Sequence, residues 1–134
     1  MKNLRKLRTR AFWSQHCCCF YCGLPMWDST FHGRFLSDYK LPKSLLPHVR
    51  CTAEHLIAKQ EGGPDSEKNI VAACHWCNSK RHAYRSHSAP DPEKYRAEVQ
   101  RAMARRLWHP AARWLMSAVQ TSRERLMATP LTPR

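Results

Sequence analysis

The run CHWCNSKRH, Cys74 to His82, sets an asparagine directly after the second cysteine of a Cys-x-x-Cys pair and a histidine four residues further on. Cys19 and Cys22 repeat that spacing upstream. Four thiolates can therefore close a tetrahedral zinc site with no open position, which makes the site structural rather than catalytic. In small zinc domains such a site supplies folding free energy on the order of 10 kcal/mol. The alternative, a redox pair plus unrelated thiols, lacks the strand and helix context of a thioredoxin-like motif. Cys18 competes with Cys19 for the metal, but only Cys19 keeps the spacing to Cys22, and Cys17 stays ambiguous. Cys51 falls in an expected strand and reads as a small buried hydrophobe.

Around the thiols sits a second set: Glu54, His55, Asn69, Asn78 and His82. Glu54 and Asn78 offer oxygen, the hard ligand type that suits Mg²⁺ or Mn²⁺, and His55 is a candidate base near neutral pH. On a helix, Asn78 and His82 face the same way. If zinc fixes Cys77, the neighbouring Asn78 starts from an immobilised backbone, and a weak neutral ligand becomes useful once held in place. Lys80, Arg81 and Arg85 follow on the same segment and are candidates for holding a nucleic-acid backbone, or else form a solvated face. Trp76, Trp108 and Trp114 read as core.

These residues need elements to position them. VRCTAEH reads as a short strand, LIAKQEGGPDSEK as a loop turned by Gly62, Gly63 and Pro64, and NIVAA as a second strand. From His75 the chain should run helical to about Tyr84. Neighbours on a regular strand point to opposite faces, so the first strand is expected to end or twist at Glu54–His55. Upstream, Gly23 and Pro25 mark a turn. Residues 27–48 hold two prolines and no clean period, and are expected to be an irregular insertion anchored by Phe31, Phe35, Tyr39 and Leu45. Residues 1–16 form a basic N-terminal arm, helical in part through Leu4, Leu7 and Ala11. In residues 86–134, a helical extension, Asp91 is an N-cap with Pro92 in the first turn, and Tyr95, Val99, Met103 and Leu107 make an apolar stripe. Pro110 should restart a second helix with Trp114, Leu115, Ala118, Val119 and Leu126 on one face.

The chain has 134 residues, 43% of them hydrophobic, enough for one modest core. A formal charge of +13 makes a polyanion the leading partner, ahead of an acidic protein surface, because each neutralised phosphate releases counterions. The charge is unevenly spread. Residues 1–50 carry nine Lys and Arg against two Asp and Glu, residues 51–78 carry two against four, and residues 79–134 carry twelve against four. The acidic middle is where a hard divalent cation would sit. Seven cysteines with no secretory run and no stretch approaching the ~18 apolar residues of a spanning helix argue for a cytoplasmic, soluble protein without a membrane partner.

The run EHLIAKQEGGPDSEKNIVAACHWCNSKRH, with CFYCGLPM upstream, resembles the zinc-stapled HNH endonucleases, whose fold is a ββα-metal finger. The matching positions are Glu54, His55, Gly62, Gly63, Asn69, Cys74, Cys77, Asn78 and the pair Lys80 and Arg81. The resemblance covers about residues 17–85. It implies an α+β fold with a structural Zn²⁺ on Cys19, Cys22, Cys74 and Cys77, and a catalytic Mg²⁺ or Mn²⁺ on Glu54 and Asn78. His82 would be a third ligand, as in relatives with a His there. It further implies that His55 is the general base and that Asn69 braces the loop and orients His55. Two departures stand out: Glu54 replaces the more usual Asp, and Ala58 replaces a common Pro. The expected activity is phosphodiester hydrolysis in DNA, with RNA or branched DNA as alternative substrates and a catalytically inactive zinc module that binds nucleic acid as the rival. Oligomeric state is not readable.

Overall fold

The computed structural model describes residues 3–83 and 88–116. Its centre is a two-stranded antiparallel hairpin, β1 (Cys51–His55) and β2 (Ile70–Cys74), in register from Cys51 opposite Cys74 to His55 opposite Ile70. The apolar run of β2 explains its placement: Ile70, Ala72, Ala73 and Cys74 are all buried. The helix α3 (His75–Arg81) follows β2 without a linker. The Cys74 sulfur accepts from the Cys77 amide as an N-cap would, and the His75 amide donates to the Arg50 carbonyl.

Residues read as a basic arm form the helix α1 (Leu4–Ser14), capped by Asn3. It lies across both strands and buries Leu7 and Phe12, with Arg5, Lys6 and Arg10 exposed and Arg8 half-buried. Just beyond it, the Gln15 amide donates to the Ala72 carbonyl and accepts from the Ala72 N–H at 2.8 and 2.9 Å. One side chain thus pairs the open edge of β2 as a neighbouring strand would.

The 27–48 segment is more regular than its composition suggested. It holds the helix α2 (His32–Asp38) and leads into a 3-10 helix over Lys43–Val49. Asp28, buried, accepts from the Thr30 and Phe31 amides and so folds the turn into α2, while Phe35 is fully buried. A seven-residue helix with one buried anchor has too little stripe to show a period.

The helix α4 (Pro92–Ala104) begins as expected, with the Asp91 carboxylate accepting from the Lys94 amide and Tyr95, Val99 and Met103 buried. Leu107 does not extend the stripe and is 71% exposed. The reason is local: the helix ends at Ala104 and Arg106 turns the chain with φ 58°. Residues 112–116 are helical again, with Leu115 fully buried. Ala118, Val119 and Leu126 lie outside the described residues. One core cluster joins Phe12, Tyr21, Leu24, Met26, Phe35, Val99 and Leu115 to the four cysteines. No helix among the described residues is long and apolar enough to cross a membrane.

Candidate metal and catalytic centre

Cys19, Cys22, Cys74 and Cys77 come together in that core. Their sulfurs lie within 4.8 Å of one another, and all four residues are buried. The first pair sits in a turn closed by Cys19 N–H to Leu24 O and Gly23 N–H to Cys19 O, with Gly23 at φ 78°, where a side chain would be strained. The second pair is carried by the end of β2 and the first turn of α3. The Tyr21 and Cys74 amides donate to the Cys19 sulfur, and the Trp108 indole N–H donates to the Cys77 sulfur at 3.3 Å. Burial alone would raise the Cys19 thiol, but hydrogen bonds from Cys22, Cys74 and Cys77 outweigh it and hold Cys19 well below the usual range. The set is therefore positioned to bind a metal ion, and four sulfurs with amide donors and no open position suit structural zinc. Cys18 is not part of it. Cys51 is buried as expected, and burial pushes its thiol up to about 12.

Asn78, next to Cys77, donates through Nδ2 to the Thr52 hydroxyl and the Ala53 carbonyl, at 3.0 and 3.3 Å. That fixes the carboxamide against β1 and leaves Oδ1 as the atom for a ligand. Thr52 and Glu54, two apart on β1, both reach α3. Glu54 is 1% exposed; its Oε1 is 2.8 Å from His82 Nε2, and its Oε2 accepts from the Tyr21 hydroxyl at 3.0 Å. Burial, then the Glu54 charge, raises the Tyr21 phenol above its ordinary value. β1 ends at His55, whose Nε2 is 2.8 Å from Asp65 Oδ1 in the β1–β2 loop. Glu54, His55, Asn78 and His82 line one depression of about 570 Å³ together with Lys59 and Gln60.

Residues 19–84 match the family model described as HNH endonuclease. This stretch is an HNH domain. No curated protein and no solved structure matches the chain. The α+β architecture, a small hairpin with flanking helices and four cysteines set for a metal, is the one expected from the sequence.

Within the HNH domain, three placements differ from the expected roles. Arg81 is 3% exposed and donates to the carbonyls of His55, Leu56 and Pro90 at 2.9, 2.7 and 3.0 Å, with Glu54 Oε2 at 3.2 Å. It cannot reach a nucleic-acid backbone; it ties α3 to the end of β1. Asn69 accepts from Ile57 N–H and donates to Ile57 O and Pro64 O, and the carboxylate of Asp65, not Asn69, faces the His55 ring. And α3 stops at Arg81, short of Tyr84, with His82 as its C-cap. Lys80 is exposed and stands 4.5 Å over the Trp76 ring. Arg85 and Tyr84 lie outside the described residues.

Sequence reasoning missed Asp65 and Tyr21 as partners of the site. Asp65 sits in a turn-forming GGPDS stretch, where an aspartate is ordinary turn chemistry. Tyr21 sits inside the first Cys-x-x-Cys pair and gave no signal of its own. Arg81 did carry one: it is four residues after Cys77, so it shares the buried face of α3.

Proposed function

We propose that the protein is a metal-dependent endonuclease that hydrolyses phosphodiester bonds in DNA. The observation that carries this reading is the depression inside the HNH domain, where a carboxylate, a carboxamide and two imidazoles meet. Glu54 Oε1, Asn78 Oδ1 and His82 would hold the divalent ion, Mg²⁺ or Mn²⁺. The donor set fits, since a hard cation takes oxygen ligands and tolerates an imidazole, and His82 already stands at Glu54 Oε1. When bound, the ion supplies Lewis-acid stabilisation of charge on the phosphate and the departing 3′ oxygen.

The remaining work belongs to the chain. His55 takes the proton of the attacking water through Nδ1, because Asp65 occupies the Nε2 side and orients the ring. Asn69 holds the loop that carries Asp65. Tyr21 and Arg81 bind Oε2 of Glu54, so the carboxylate presents Oε1 to the depression and pays no rotamer entropy on binding an ion. Lys80, and Arg85 beyond the described residues, would hold the nucleic-acid backbone. Cys74 and Cys77 would hold the structural zinc with Cys19 and Cys22, which would keep α3 in place beneath Asn78.

A second reading is favoured by one feature of the same carboxylate. Glu54 is buried, and Arg81 already neutralises it. That arrangement also suits a zinc module that binds nucleic acid without cutting it. Nicking of supercoiled plasmid separates the two. Wild-type protein with Mg²⁺ or Mn²⁺ is expected to nick, and His55→Ala is expected to lose at least about 100-fold in rate with zinc content and DNA affinity unchanged. Binding without nicking by the wild type establishes the inactive module, and unchanged nicking by His55→Ala removes the base assignment.

A further inference from the structure

A second depression, of about 410 Å³, lies beside the first and shares Asn78 and His82 with it as a common wall. Its other lining includes Thr52, His75 and Ser79. Asn78 and Ser79 lie three and four residues after His75 on α3, and His82, its C-cap, lies four and three after them, so one face of the helix forms the floor. The Ser79 hydroxyl and His75 Nε2 lie 3.3 Å apart, and both belong to side chains that reach solvent.

The two depressions differ in charge. The four acidic residues of 51–78, namely Glu54, Glu61, Asp65 and Glu67, belong to the end of β1 and the loop beyond it. Asp65 stands at His55 and Glu54 lines the first depression. Among the described residues, no carboxylate lines the second one. On the side away from Glu54, which meets the shared wall at His82, the exposed Arg50 lies within electrostatic reach of His75, whose amide donates to the Arg50 carbonyl. A strand crossing Asn78 and His82 has its neighbouring phosphates repelled on the loop side and accepted on the His75 side.

We propose that the His75–Ser79 depression is a subsite for the phosphate that flanks the scissile one, bound by the Ser79 hydroxyl and the His75 ring N–H. This rests on the nuclease reading for the words "flanking" and "scissile"; the phosphate chemistry of the depression stands without it. The subsite sets affinity and strand placement and takes no part in bond breaking.

The test is the affinity of a fluorescent DNA duplex, measured by anisotropy with no added divalent ion, for wild type, Ser79→Asp and Gln100→Glu. Ser79 and Gln100 are both exposed, and each change removes one unit of net charge, but Gln100 lies on α4. Ser79→Asp is expected to weaken binding about tenfold, a like charge facing the phosphate, while Gln100→Glu changes it less than about twofold. Equal effects of the two variants would overturn the subsite, since only net charge would then matter. With added Mn²⁺, Ser79→Asp should raise KM for DNA and leave kcat as it was; a fall in kcat alone would also overturn it. If the wild type binds but never cuts, the nuclease reading fails, and the binding comparison still decides the phosphate site.

Discussion

At the scale of the residue, chemistry is legible where the chemistry itself demands a type and a spacing. The four cysteines could be named because a tetrahedral thiolate site needs two close pairs, and Asn78 and His82 could be placed together because residues four apart share a helix face. Arg81 was misread because an arginine beside a lysine looks like surface charge, and burial is a property of the whole fold. Its environment makes a sharp prediction. Glu54 and Arg81 are both almost fully buried and face each other at 3.2 Å. Removing one partner leaves the other charge uncompensated in a low-dielectric interior. Arg81→Met is therefore expected to destabilise the protein by about 3–5 kcal/mol in urea unfolding. Adding Glu54→Gln should recover part of that loss, because the orphaned carboxylate is gone. Purely additive losses in the double variant would mean that the carbonyl contacts of Arg81, and not the ion pair, carry its role.

At the scale of the element, the order strand, loop, strand, helix could be read because each piece has a local signature. The β2 run is apolar, Asp91 and Pro92 announce α4, and the glycine pair breaks the chain between strands. The helix α2 was hidden because its start is made by Asp28 in the tertiary fold, and α3 ends early where His82 turns to meet Glu54. Gly62 needs its left-handed φ of 87° to end the 3-10 turn Lys59–Glu61. Gly63 is required for a different reason: a Cβ there would fall 1.7 Å from the Ile57 carbonyl oxygen and 2.8 Å from Asn69 Nδ2. The backbone at Ile57 is what Asn69 grips, so Gly63→Ala should push the loop off its brace. The expected result is a loss of about 1–3 kcal/mol in stability, by the usual cost of overpacking, together with a fall in nicking rate as Asp65 leaves His55. The zinc content should not change, because the cysteines sit at the other end of the hairpin. Full stability and activity in Gly63→Ala would show that the loop relaxes freely and does not position His55.

At the scale of the molecule, the sequence reads as an HNH core followed by a helical extension, and the packing ties α4 to the four cysteines. The Tyr95 hydroxyl donates to the Cys77 carbonyl at 2.7 Å, its ring meets Tyr21 edge-on at 4.8 Å, and the Trp108 indole donates to the Cys77 sulfur. Phe12 from α1 and Leu115 beyond α4 join the same buried cluster. A chain this small buries little surface for its size, so a site contributing on the order of 10 kcal/mol would match the whole net stability of an ordinary domain. Zinc removal by a strong chelator is thus expected to unfold the finger and α4 together. The prediction is a single transition, in which helical circular dichroism, reporting largely α1 and α4, and tryptophan fluorescence, to which Trp108 at the sulfur contributes with the chain's other four tryptophans, change with the same midpoint as chelator is added. Two separated transitions would mean that α4 and its neighbours hold their structure without the metal. Verified zinc loss with neither signal changed would mean that the buried cluster alone sustains the fold, and that the four cysteines bind an ion they do not need for stability.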